Sequence, residues 1–358
     1  MAPMGDPMDL PLPALSDSLP EVVRLLHSGR LIGLSDGRQN AILANGTCDL
    51  TNEDLAEHRN GHAGVLLVRD ASAALDFVHS PSPVARRLMK RCWPGSTRLV
   101  FAHGTDAPLL QRLPEVVQQS AQSERGFALN VPEAPLLYEL LQNVPFPLLK
   151  VHAPDTPLFH RLTVFASDSH SLQEEAEIQI DGDQWQLITK ARLTPEEVSW
   201  MTSERILFVC TGNTCRSPMA EGTFRRLLAN RLGCEESQLT SRGFDIASAG
   251  LSAVTGSPAS PEAVDLCLSH GVDLARHSSQ PLTESLLLDC DHVFTMTAAH
   301  RDAIVSRYPE CAEVVQLLSR TGDDVSDPMG WGPDAYEQCH QEIVDNLQAL
   351  VEQIAVSH

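Results

Sequence analysis

The sequence predicts an α/β protein built of two unlike halves, and three observations carry that reading. The chain has 358 residues, enough for two domains. From Ile206 onward, short apolar runs alternate with amphipathic ones, the pattern of a four-stranded parallel sheet with helices on both faces. Before residue 192, strand signals dominate and include Glu177–Ile180 and Trp185–Lys190 around Asp181-Gly182-Asp183, a hairpin that marks a mixed sheet.

Taken in order, residues 1–18 are rich in Pro, Asp and Ser and read as a disordered tail. No basic region precedes an apolar one there, so a signal peptide is not expected. A first domain over 19–192 opens with a short helix, Leu19–Leu26, ended by Gly29. Strands are expected at Leu31–Leu34, Gly64–Val68, Ser96–Phe101 and Gly126–Val131, with further signals at Phe146–Val151 and Leu162–Phe165. Helices are expected at Ser82–Cys92 and near Pro135–Gln142. Residues 193–204 read as a linker, with Thr194-Pro-Glu-Glu197 starting a short helix and Trp200 docked on one domain.

The second domain, 205–358, predicts strands at Ile206–Val209, Gly243–Ala247, Asp291–Met296 and Glu313–Leu318. Helices are expected over Met219–Leu232, Ser260–Gly271, Ala298–Tyr308 and residues 333–354.

A formal net charge of -21 disfavours nonspecific contact with nucleic acid or anionic membrane. No apolar run is long enough to span a bilayer. Nine scattered cysteines without CxxC pairs fit a reducing, cytoplasmic setting. No cluster has metal-ligand spacing, and no cofactor is implied.

The chemistry concentrates at Cys210-Thr-Gly-Asn-Thr-Cys-Arg216-Ser-Pro. A cysteine ends a predicted strand, an arginine follows six positions on, and a helix start lies between them. The amides of Thr211, Gly212, Asn213, Thr214, Cys215 and Arg216 can curl into a nest for an anion beside the positive end of the helix. Gly212 and Asn213 tolerate the left-handed backbone this requires. A sulfur in that field is favoured as thiolate, the nucleophilic form. Arg216 can grip two phosphoryl oxygens as a fork. Ser217 is expected to cap the helix with Pro218 in its first turn, and can also hydrogen-bond the thiolate. A cysteine and an arginine alone fit a buried strand cysteine equally well; the full run in a strand–loop–helix context selects the phosphate site.

The run Val209-Cys-Thr-Gly-Asn-Thr-Cys-Arg-Ser-Pro-Met-Ala-Glu221 resembles the low-molecular-weight protein tyrosine phosphatases. The likeness continues through Ser248-Ala-Gly250, His277-Ser-Ser-Gln-Pro-Leu-Thr283, Val293-Phe-Thr-Met296 and Asp327-Pro328, and is closest to the protein arginine phosphatase branch. It implies a phosphotyrosine protein phosphatase I-like fold, a phosphoprotein substrate and a phosphocysteine on Cys210. It further implies that Asp327 acts as general acid and then as base; the other reading of Asp327 is an Asx turn. Asn213, Ser217, Ser248 and His277 match a network that supports the loop, although His277 alone reads as an ordinary partly buried histidine. Cys215 is within reach of Cys210 for a reversible disulfide; a small core residue is the alternative.

Thr214 bears on specificity: tyrosine-directed members often carry Ile or Leu there, and a threonine marks the phosphoarginine branch. Met329-Gly-Trp331-Gly332 departs from both branches. Trp331 is either a wall that stacks the leaving group or a loop anchor. Asp334 either pairs with a guanidinium or favours the last helix's N-terminus. Arsenate reductase shares the cradle but needs a cysteine pair after the third strand, and Thr297–Tyr308 has none.

The first domain resembles the YrdC/Sua5 family, whose active members make threonylcarbamoyl-adenylate. The carrying residues are Ser28–Gly33, Cys92–Val100 and Ala128–Pro132. The departures are in the nucleotide machinery. Leu34–Asn40, with Asp36, replaces the expected loop; Glu57–His62 offers only Arg59 for the basic pair; and Leu148–Ala153 replaces the Ser-x-Asn element. The expected role is an inactive, divergent domain. A nucleotide- or RNA-binding regulatory module and an active synthase are the alternatives, and such a domain leaves nucleic acid open as a partner.

Overall fold

In a computed structural model the protein is described over residues 12–49, 64–102, 107–153, 159–167, 172, 175–189, 191 and 193–356. It divides into two compact units, Met1–Thr202 and Ser203–His358. Among the described residues no helix is long and apolar enough to cross a membrane.

The first unit carries ten strands among its described residues: β1 Ile32–Ser35, β2 Asn40–Asn45, β3 Val65–Leu67, β4 Thr97–Phe101, β5 Gln122–Ser123, β6 Gly126–Asn130, β7 Leu148–Ala153, β8 Thr163–Ala166, β9 Ala176–Asp181 and β10 Gln184–Thr189. They form one mixed sheet in the order β10-β9-β4-β6-β3-β7-β2-β1-β8, with β5 on β6. Successive strand residues feed two apolar layers. Leu66, Leu99 and Leu129 lie in one, Val65, Leu67, Val100 and Ala128 in the other, as a period of two requires. Helices α1 Leu19–His27, α2 Pro83–Cys92, α3 Glu115–Ala121 and α4 Pro135–Gln142 supply the covering faces.

Three expectations change here. Residues 12–18, assigned by composition to the tail, are ordered by backbone pairing: Leu15 is buried and its N–H donates to Ala166 O at 3.0 Å. Strand β2 is not among the expected strands; Ala41–Ala44 form a short apolar run, half of it alanine, that is buried throughout. The segment read as a linker carries its expected short helix, α5 Pro195–Thr202, but that helix belongs to the first unit. Val198 and Met201, three apart and so on one face, make the contact; Cys92 Sγ lies 3.5 Å from Met201 Sδ. Trp200, on the same helix, is 47% exposed. Asp36 accepts the N–H groups of Arg38 and Gln39 in the β1–β2 turn. The segment 57–62 lies outside the described residues.

The second unit is a four-stranded, all-parallel sheet in the order β12-β11-β13-β14, built from β11 Glu204–Cys210, β12 Phe244–Gly250, β13 His292–Thr295 and β14 Val315–Leu317. Helices α6 Arg216–Leu232, α7 Pro261–Ser269, α8 Glu284–Asp289, α9 Ala298–Arg307 and α10 Pro333–Val356 follow. One layer joins Phe208, Phe224, Phe294 and Ile343; the other joins Leu207, Val209, Leu287 and Ile304. The sheet is therefore sandwiched, and each fully buried Phe contributes about 1.5–3 kcal/mol. Because the chain runs from β11 to one neighbour and later returns on its other side, the switch point lies beyond the carboxyl end of β11, where such sheets bind ligands. Cys210 is the last residue of that strand.

Candidate active site

The 210–216 loop is shaped by one residue. Asn213 is fully buried with φ 57°, a left-handed backbone that asparagine tolerates better than most. Its N–H points back to Cys210 Sγ at 3.2 Å. Its side chain donates to Ser217 Oγ at 2.9 Å and Ser248 Oγ at 2.8 Å, and accepts the Gln280 N–H at 2.9 Å. His277 Nε2 lies 2.7 Å from the Asn213 carbonyl. Ser248 passes the chain on to Glu221 at 2.7 Å. Asn213, Ser217, Ser248 and His277 are thus brought together, and Gln280 and Glu221 join them.

Strand β12 comes unusually near. A Cβ on Gly250 would stand 2.6 Å from Thr211 O and 2.9 Å from Asn213 N, so only glycine allows Leu251 N–H and Ser252 N–H to reach the carbonyls of Cys210 and Thr211.

Of the two roles expected of Ser217, the helix cap is not found. The helix begins at Arg216, three residues before the expected Met219, and no side chain caps it. The Ser217 hydroxyl turns inward instead, 3.0 Å from Cys210 Sγ. Two consequences follow: the first-turn amides are left for an anion rather than spent on a cap, and a hydroxyl stands beside the sulfur.

Cys210 is 3% exposed at the base of this loop. Arg216, itself buried, sends Nη1 to Val325 O at 3.3 Å and Nη2 to Asp327 Oδ2 at 2.5 Å. The Asp327 side chain is 54% exposed. Its other oxygen accepts the Met329 N–H at 3.2 Å, so the Asx-turn geometry and the approach to Arg216 coexist.

Thr214 is half-buried at the loop's outer bend, and its carbonyl accepts Ser260 N–H at 2.8 Å. Cys215 is buried, and its sulfur lies 3.3 Å from Ser260 Oγ and 3.2 Å from Tyr336 OH. Burial and the Cys215 contact push the Tyr336 phenol up to about 12. The sequence reading missed both hydroxyl partners; Ser260 was legible only as the start of α7. Trp331, between Gly330 and Gly332 at φ 82° each, is 79% exposed. A ring so exposed has little packing with which to anchor the loop. Asp334 sits in the first turn of α10, where a carboxylate is favoured. Also missed is His300, 2.9 Å from Thr211 Oγ1.

Residues 205–357 match the family model described as low molecular weight phosphotyrosine protein phosphatase. A protein-arginine-phosphatase of Geobacillus stearothermophilus is 38% identical over 154 residues, covering 42% of this chain and 95% of that protein. The low molecular weight protein-tyrosine-phosphatase PtpB of Staphylococcus epidermidis is 38% identical over 156 residues, covering 43% and 99%. A crystal structure of a Bacillus subtilis YwlE mutant is 35% identical, covers 43% of this chain and 99% of that one, and has a TM-score of 0.38. A buried cysteine in an uncapped strand–loop–helix turn, with relatives matched over nearly their whole length, places the chain, through residues 205–357, in the low molecular weight phosphotyrosine protein phosphatase family.

Proposed function

We propose that the second unit is a cysteine-dependent protein phosphatase that works through a phosphocysteine on Cys210 and favours phosphoarginine over phosphotyrosine. What supports this most is the position of Cys210 Sγ, under an uncapped helix start and beside Arg216, with Ser217 Oγ at 3.0 Å. In the first step the thiolate attacks phosphorus. The S–P bond forms, the P–N or P–O bond breaks, and its electron pair goes to the leaving atom, which takes a proton from Asp327. Loop amides and Arg216 hold the three equatorial oxygens. The incoming phosphoryl group competes with Asp327 Oδ2 for Arg216 Nη2, which frees that carboxyl for the leaving group. In the second step water attacks phosphorus, Asp327 takes its proton, and the S–P pair returns to Cys210, where the Ser217 hydroxyl stabilises the thiolate.

The preference for phosphoarginine rests on Thr214, on exposed Trp331 as a face for a guanidinium, and on relatives named protein-arginine-phosphatase. Thr214→Ile is expected to move the ratio of kcat/KM values for phosphoarginine and phosphotyrosine peptides about tenfold toward tyrosine, the scale of one altered pocket contact. An unchanged ratio overturns the role given to Thr214.

For the first unit we propose a divergent YrdC/Sua5-like domain without synthase activity. Lys150, where the family's Ser-x-Asn is expected, is paired with Glu175, and Arg98 approaches Glu175 at 3.3 Å and Glu177 at 3.6 Å. Burial alone would push Glu175 up, but Lys150 and Arg98 outweigh it and hold the carboxyl below its usual value. These cations are already neutralised within the fold, which leaves little to grip a triphosphate. No pyrophosphate release from ATP with threonine and bicarbonate is expected; release would establish a synthase. A rise in melting temperature with ATP alone, without pyrophosphate, would mark a nucleotide-sensing module instead.

A further inference from the structure

The loop after Cys210 is braced unequally. On one side Asn213 has four partners besides the Cys210 sulfur; on the other, the side chain of Thr211 meets a single imidazole, His300 Nε2 at 2.9 Å. His300 is fixed from its own backbone. It lies in the first turn of α9, its N–H donates to the Thr297 side chain at 3.2 Å, and the preceding Met296 N–H bonds Val209 O. His300 is only 8% exposed, and its Nδ1 is buried without a hydrogen-bond partner among the described residues.

Packing alone does not account for that ring. A site that needed only volume would hold Leu or Phe without burying an unpaired nitrogen. The unpartnered Nδ1 also selects the tautomer. A proton there would be a buried, unused donor, so the proton belongs on Nε2, facing Thr211 Oγ1. Burial, then Arg216, keep the ring neutral against the pull of Asp324 and Asp327. With Oγ1 accepting from His300, the proton of the Thr211 hydroxyl is free to donate elsewhere, and Thr211 is exposed.

We propose that His300 is a positioning residue for phosphoryl transfer: its Nε2–H donates to Thr211 Oγ1, fixes the first loop residue after the nucleophile and leaves the threonine hydroxyl proton for the phosphoryl group. The inference rests on the phosphatase reading above. It gives the loop a brace from α9 that is independent of the Asn213 network.

The test uses the full chain, p-nitrophenyl phosphate as substrate and orthovanadate as a competing anion. His300→Leu is expected to lower kcat/KM and weaken orthovanadate inhibition by about 10–100-fold, the cost of a loop displaced by a fraction of an ångström to an ångström. His300→Gln, which keeps an N–H near the Nε2 position, should stay within about threefold of the parent. Thr211→Val with His300→Leu should be no worse than Thr211→Val alone, because both remove one contact. Independent, multiplicative losses, a Gln variant as impaired as the Leu variant, or an unimpaired Leu variant would each overturn the proposal. Should His300→Leu fail to fold by circular dichroism, His300→Asn, whose shorter amide cannot reach Thr211, takes its place in every comparison, with the same outcomes deciding. Cys210→Ser separates the two levels: persistent turnover there sinks the phosphatase reading itself, whereas a dead Cys210→Ser beside an unimpaired His300→Leu sinks only the positioning role.

Discussion

Cys210→Ser is expected to reduce phosphate release from any phosphoprotein substrate by at least ~10⁴-fold, the scale on which loss of a nucleophile is felt. The substitution is nearly isosteric, so the loop should survive it. The serine oxygen can still accept the Asn213 N–H and sit beside Ser217 Oγ, which meet the sulfur at 3.2 and 3.0 Å. What is lost is chemistry. A serine hydroxyl is not ionised by the field of a helix start, and an alkoxide leaves phosphorus poorly where a thiolate leaves well. Inorganic phosphate should therefore bind within about threefold of the parent affinity while turnover disappears. Calorimetry for phosphate and a malachite-green assay for release separate the two effects. Equal loss of binding and turnover would mean that Cys210 shapes the pocket instead of attacking within it.

The site was legible where the chain itself is continuous. Ile206–Val209 is an apolar run, the next residues are small or polar, and the following run is amphipathic, so strand, loop and helix could be placed from local pattern alone. Asp327-Pro328 was legible as a stiffened turn. The parts that escaped depend on the sheet order. Tyr336 and Ser260 meet Cys215 from two helices, and His300 meets Thr211 from a third; no spacing along the chain announces these contacts. The cap role given to Ser217 failed for a more local reason. A serine before Pro218 is a strong helix-cap signal, and here the sulfur and Asn213 outcompete the cap for its hydroxyl. In the first unit the errors share one cause: burial overrode composition. Leu15 is drawn into the core from a polar, proline-rich stretch, and Ala41–Ala44, a short apolar run half of it alanine, form a strand that is buried throughout.

Asp327→Asn is expected to lower kcat/KM by about 10²–10³-fold for phosphoarginine, the range of general acid catalysis, and much less for p-nitrophenyl phosphate. Asparagine is the informative replacement because it preserves the turn: its Oδ1 can still accept the Met329 N–H that Asp327 holds at 3.2 Å. Only the transferable proton is removed. A guanidine nitrogen cannot depart from phosphorus as an anion, so the phosphoarginine reaction needs that proton. A nitrophenolate is stable without one, and its release tolerates the loss. The contrast between the two substrates, more than either absolute rate, therefore reports proton donation. The same variant also lacks the base for the second step, so a phosphocysteine should accumulate with p-nitrophenyl phosphate and appear as a burst of nitrophenolate. Stability should change little. Arg216 is buried and keeps Val325 O as an acceptor, but the Asp327 side chain is 54% exposed, and ion pairs with one partner in solvent contribute about 0–1 kcal/mol. Equal losses with both substrates and no burst would show that Asp327 serves the cradle through Arg216 and transfers no proton.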